Sequence, residues 1–116
     1  MSRRGLREGG EGWQAVFHFD PDHAVFADHF PGRPVIPGSL ILDCFHNTIL
    51  DTEPQVKGHP LRLCGIRNAR FLQFASPGRV DVDVFRQAAG EERVFSCKAL
   101  QKGKVLCSAV LHYRRP

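Results

Sequence analysis

The sequence predicts an α+β domain in which one antiparallel sheet wraps a single buried helix. Three observations carry that expectation. Segment 39–50 is apolar nearly all round, with Leu40, Ile41, Leu42, Cys44, Phe45, Ile49 and Leu50, as befits a helix enclosed by other elements. The rest of the chain carries short strand-like runs separated by Gly, Pro and charged turns. The order is strand, loop, helix, then four strands in an antiparallel meander, without the strand–helix alternation of a parallel sheet.

The elements follow in order. Residues 1–12 are rich in Gly and charge and include Arg3, Arg4 and Arg7; this composition predicts a disordered basic head, leaving 13–116 as a single domain. Segment 13–19 alternates loosely and is the first strand, closed by the Asp20-Pro21-Asp22 turn signal. Segment 23–38 is a loop of a length that usually carries function. The helix follows over 39–50, limited by Pro54. Segment 61–74 is a strand with Leu61, Leu63, Ile66, Phe71 and Phe74, ended by Ser76-Pro77-Gly78. Val80, Val82 and Val84 alternate with Asp81 and Asp83, the pattern of a half-buried strand. Ala89-Gly90-Glu91 turns into a strand over 93–101, and Lys102-Gly103 forms a short hairpin into 104–113.

A chain of 116 residues is one domain, and it would not easily enclose a large ligand tunnel within one subunit. The net charge of +4 is modest. A nucleic-acid partner calls for a denser basic patch with interleaved aromatics, whereas an acidic protein partner suits a mildly positive surface. Cys44, Cys64, Cys97 and Cys107 show no metal-ligand spacing, and their apolar neighbours predict buried, reduced thiols. Asp20, Asp22, His23, Asp28 and His29 cluster in sequence but match no metal-ligand set. No apolar signal segment follows the basic head, and no apolar run is long enough to span a membrane. These features predict a cytoplasmic protein with no metal, cofactor, nucleic acid or membrane partner.

The most informative stretch is 29–43: His29-Phe30-Pro31-Gly32-Arg33-Pro34-Val35-Ile36-Pro37-Gly38, then Ser39-Leu40-Ile41-Leu42-Asp43. Three prolines stiffen the loop, and Gly32 and Gly38 permit tight turns and close backbone approach to a ligand. This stretch resembles the signature of the 3-hydroxyacyl-[acyl-carrier-protein] dehydratases. The run Gly65-Ile66-Arg67-Asn68-Ala69-Arg70-Phe71, with Ser76-Pro77-Gly78, resembles a second family segment, and the likeness extends from Phe17 to Tyr113. It implies the hotdog fold, a long central helix wrapped by an antiparallel sheet, in a homodimer or a heterodimer with a related subunit. Asp43 stands where the commoner family branch has Glu, and Asn47 where Gln is frequent.

The resemblance implies dehydration of a 3-hydroxyacyl thioester, on an acyl carrier protein, in fatty-acid or polyketide synthesis. That reaction needs a base for the α-proton and an acid for the departing hydroxyl. Alone, His29 reads as a capped turn histidine; within the motif it is the base. An unpaired carboxylate on an apolar helix is costly, and burial favours its protonated form, so Asp43 is the acid unless it reaches solvent or an arginine. The family likeness places the acid on the partner's helix. It also gives Gly38 and Ser39, at the helix start, the thioester carbonyl, and gives the Val35 carbonyl the orientation of the His29 ring; simple turn chemistry is the other reading of all three. His18, His46, His59 and His112 read as packing or surface residues, and Phe26, Phe30, Phe45, Phe71 and Phe74 as core, with a tunnel wall for an acyl chain as a second role for some of them. A non-catalytic acyl-thioester-binding subunit and a thioesterase on the same fold are the alternative functions.

Overall fold

The alternating and apolar segments of the sequence become six strands and one helix in a computed structural model, which describes residues 2–9, 12–22, 35–52, 62–87 and 93–114. In chain order they are β1 (Ser2–Gly9), β2 (Gly12–Phe19), α1 (Gly38–Thr52), β3 (Arg62–Phe71), β4 (Gly78–Gln87), β5 (Arg93–Gln101) and β6 (Lys104–Arg114). The sheet is antiparallel throughout, in the order β1-β2-β4-β5-β6-β3.

Inward positions alternate as the strand period requires. Ala15, Phe17 and Phe19 of β2 meet Val80, Val82 and Val84 of β4, Phe95, Cys97 and Ala99 of β5, and Cys107, Ala109, Leu111 and Tyr113 of β6. Against them α1 buries Ile41, Cys44, Phe45, Thr48 and Ile49, a stripe at the three- and four-residue spacing of one helical face. The Thr48 hydroxyl, the one polar side chain in that stripe, donates to the Cys44 carbonyl at 2.8 Å. The opposite face is more open: Ser39, Asp43 and Asp51 are exposed and His46 and Asn47 are half-buried, while Leu40, Leu42 and Leu50 at its margins pack partly against the core. Among the described residues, the helix expected to be enclosed all round is therefore covered mainly on one side.

Three further expectations are corrected. The basic head, expected to be disordered, forms β1 over Ser2–Gly9 and pairs with β2 from Ser2↔His18 to Gly9↔Gly12. Composition reports the capacity to bury apolar surface, whereas this strand is held by backbone pairing to an open sheet edge. The meander is confined to β4-β5-β6. β3 lies at the far edge beside β6, and β2 occupies the place next to β4. Segment 72–77 makes that crossing: three strand intervals of ~4.8 Å each lie well within the roughly 20 Å reach of the extended segment. As it crosses, Leu72 N–H donates to the Leu106 carbonyl at 2.8 Å. Gln101 then holds its far end, accepting from Ser76 N–H at 3.1 Å and donating to the Ser76 carbonyl at 2.8 Å.

The edge position of β3 explains the third correction. Phe71 and Phe74, expected in the core, are 54% and 79% exposed, and Leu63, Ile66 and Leu72 are exposed beside them. Phe45 is in the core as expected; Phe26 and Phe30 lie outside the described residues. Cys64, also on β3, is exposed, while the other three thiols are buried. Burial pushes Cys44 up to about 12 and Cys107 up to about 11. Cys97 is pushed up as well.

Two turns show their chemistry. Lys102 and Gly103 both have positive φ, 52° and 79°, as a two-residue hairpin of the twist-matching type requires. Gly78, at φ 123°, starts β4 in a conformation that side chains disfavour. Asn68, at φ 54°, sits in the irregular register between Arg67 and Arg70, and Asn tolerates that region better than most residues. No helix among the described residues is long and apolar enough to cross a membrane.

Candidate active site at the start of the helix

The described part of the motif enters α1 through Val35, Ile36 and Pro37. Ile36 is buried, and its N–H donates to the Ala75 carbonyl at 2.7 Å, tying the motif loop to the crossing segment after β3. The Pro37 carbonyl accepts from Leu40 N–H at 3.0 Å, closing the first helical turn. The two sequence segments singled out above therefore meet at one point. Phe71, from the second, lies against Gly38, from the first: a Cβ on Gly38 would stand 2.6 Å from Phe71 Cε1. A side chain at Gly38 would thus have to displace the exposed Phe71 ring.

Val35, Gly38 and Ser39 lie together at this helix start, as expected. The first turn of an α-helix has N–H groups without intrahelical acceptors, and its dipole favours negative charge there. Asp43 lies four residues beyond Ser39, so the two share a helical face, and both are exposed. The burial expected for Asp43 is absent within the chain, because the core stripe runs along the opposite side of α1. His29 lies outside the described residues, as do His23, Asp28 and Arg33; Asp20 and Asp22 of the same cluster are described and exposed, with Asp22 N–H donating to Asp20 Oδ1 at 2.9 Å. Among the described residues no group of three His, Cys, Asp or Glu side chains is placed to hold a metal.

The structure adds a pair that sequence reasoning did not find. His46, one turn beyond Asp43, brings Nδ1 within 2.6 Å of the Tyr113 hydroxyl. The two rings are stacked, with centroids 5.7 Å apart and planes at 8°. Phe95 meets the Tyr113 ring edge-on at 5.7 Å. Burial lowers the His46 pKa below its ordinary value, with the Asp43 charge pulling it partly back. Burial also raises the Tyr113 phenol. A separation of 67 residues between the partners leaves no local signal for this contact.

The arrangement offers a carboxylate roughly 6 Å along the axis from Ser39, on an open face next to a helix end that attracts developing negative charge. A thioester carbonyl at that end and a proton exchanged at the carboxylate fit a reaction through an enolate-like state.

Comparison with known proteins identifies the family. A family model described as ApeI-like, ApeI dehydratase, matches residues 6–109. The 3-hydroxyacyl-[acyl-carrier-protein] dehydratase FabZ of Latilactobacillus sakei subsp. sakei (strain 23K) is 31% identical over 100 residues, covering 79% of this chain and 69% of that protein. The protein of the same description from Shewanella sp. (strain MR-4) is 33% identical over 111 residues, covering 86% and 71%. Among solved structures, the dehydratase heterocomplex ApeI:P from Xenorhabdus doucetiae superposes with a TM-score of 0.71 at 16% identity, over 98% of this chain and 97% of that one. A thioesterase from Haemophilus influenzae gives 0.70 at 16% identity, over 96% and 76%. At such identities the two structures speak to the fold alone, and that fold is the hotdog.

Proposed function

The chain belongs to the ApeI-like dehydratase family, and we propose that it converts a 3-hydroxyacyl thioester, borne by an acyl carrier protein, into the 2-enoyl thioester and water. In this reading His29 takes the α-proton, and Asp43 gives a proton to the departing hydroxyl. The carbon–hydrogen and carbon–oxygen bonds break, the carbon–carbon double bond forms, and water leaves. The thioester carbonyl sits at the N–H groups of Gly38 and Ser39, where the helix end lowers the energy of the enolate-like state. The Val35 carbonyl orients the His29 ring.

The observation that carries the reading is the placement of Asp43 on the open face of α1, in line with Ser39 and the helix start. Exposed within one chain, Asp43 acts as the acid where a partner subunit covers this face and supplies the burial that favours its protonated form. The same open face, with the exposed apolar side chains of β3, supports a dimer in which the partner completes the site. The chain would pair with a second copy, or with a related subunit in a heterodimer.

The test is mass spectrometry of a 3-hydroxyacyl-carrier protein after incubation with the protein. Loss of one water from the carried acyl group is expected. Release of free acid would instead indicate a thioesterase, and an unchanged substrate a binding subunit; either would contradict the proposal.

A further inference from the structure

His46 has no part in the chemistry just described, yet its ring is fixed more tightly than a surface histidine needs to be. We propose that His46, oriented by Tyr113, is a positioning residue for Asp43: it holds an imidazole N–H donor one helical turn along the face that carries the carboxylate. This rests on the proposed dehydration and adds a residue to that site.

The direction of the His46–Tyr113 bond follows from burial. Tyr113 is fully buried, and a buried phenol hydrogen without an acceptor is costly. The imidazole Nδ1 stands at 2.6 Å as that acceptor. Desolvation favours the protonated phenol and the neutral imidazole. A neutral imidazole has one donor and one acceptor nitrogen; with Nδ1 accepting, the hydrogen is on Nε2. The parallel stack on Tyr113, itself backed by Phe95, removes the freedom of the ring to turn.

The relation to Asp43 follows from the helix. Side chains three residues apart are neighbours on one face, and helical side chains lean toward the N-terminus, so His46 leans toward the turn that bears Asp43. The imidazole feels the Asp43 charge across that gap. The groups that bear on the ring are Asp43 on α1 and Tyr113 on β6; Tyr113 in turn feels Cys97 on β5. A neutral donor steadies a carboxyl group in either protonation state, whereas a charged imidazole would favour only the carboxylate. The buried Tyr113 contact therefore serves an acid that must exchange its proton in each turnover.

Two measurements on the full chain test this. First, ring-nitrogen NMR of the wild type should show His46 as the Nε2–H tautomer near neutral pH, titrating below the ordinary value of ~6.5. Asp43→Asn removes the charge that raises the His46 pKa, so its midpoint should fall further. An Nδ1–H tautomer, or a midpoint unmoved by Asp43→Asn, would overturn the proposal whether or not the protein is a dehydratase. Second, with a 3-hydroxyacyl pantetheine thioester as substrate, Tyr113→Phe should lower kcat about tenfold, the loss of one hydrogen bond's worth of orientation, with KM unchanged. His46→Ala should do at least as much. The double variant should be no worse than His46→Ala, because Tyr113 acts through His46. His46→Gln, which keeps an acceptor and a donor, should recover part of the rate. A Tyr113→Phe protein that melts earlier but keeps full kcat, or additive losses in the double variant, would make the pair structural only and refute the role. A wild type that does not dehydrate would contradict the proposed function instead, and the NMR arm would still decide the coupling.

Discussion

Asp43 shows how far a single residue can be read and where the reading stops. Its identity and its place in the motif were legible, because an acid five residues after the second Pro-Gly pair interrupts an apolar run. Its environment was not. The core stripe Ile41, Cys44, Phe45, Thr48 and Ile49 turns Asp43 to the open side of α1, and an apolar composition all round the helix hides which side faces the sheet. His46 was legible only as a packing or surface residue, since its partner lies on the last strand. Removing either reacting group should affect rate and spare the fold. His29→Ala and Asp43→Asn should each lower kcat by roughly 10²- to 10⁴-fold, with far-UV circular dichroism and melting temperature near wild type. Near-normal turnover in either variant would take that residue out of the mechanism.

At the scale of elements, the sequence located nearly every segment and misplaced one. The Lys102-Gly103 hairpin and the valine alternation of β4 are local signals, and both are in the structure. The position of β3 beyond β6 is not local, because sheet order depends on which edges are free once β4, β5 and β6 have paired. Nor did the charge-rich head announce β1, whose strand character comes from pairing with β2. Beside its backbone bonds to Leu106 and Ile36, the crossing after β3 is held by a side chain at its far end. Gln101 spans the crossing's end and the start of β4, with a further bond of 3.2 Å from its amide to the Arg79 carbonyl. Gln101→Ala removes these bonds at a partly exposed site, so stability should fall by about 1–2 kcal/mol in chemical denaturation. Hydrogen exchange should accelerate at the Ser76 amide and leave the centre of β4 protected. Unchanged exchange at Ser76 would show that the crossing is held by other contacts.

For the whole molecule, buried thiols and a buried phenol set the alkaline limit. Cys44 and Cys107 rise from 9.0 to about 12 and about 11, and Cys97 and Tyr113 rise too. Above pH ~9 the unfolded chain releases protons that the folded chain keeps, so stability is lost as pH climbs through the folded values. Calorimetry in reductant should find a melting temperature insensitive to these groups near pH 8 and falling steadily from about pH 9 to 11. A net charge of +4 suits the proposed acidic carrier protein. Raising salt from ~50 to ~500 mM should raise KM for the carrier-borne substrate and leave that for a pantetheine thioester unchanged. Equal salt dependence of the two would reject electrostatic docking. The dimer was legible through family resemblance and through a helix more apolar than one sheet can cover, and the open side of α1 and the exposed β3 in the single chain are what such an assembly would cover. The most direct test of the account co-expresses His29→Ala and Asp43→Asn chains as mass-verified mixed dimers. If each site takes His29 from one chain and Asp43 from the other, a mixed dimer has one intact site and one with neither residue. Dehydration should then return to about half the wild-type rate, from two parents that are each nearly inactive. Verified mixed dimers that stay as inactive as their parents would contradict the shared site.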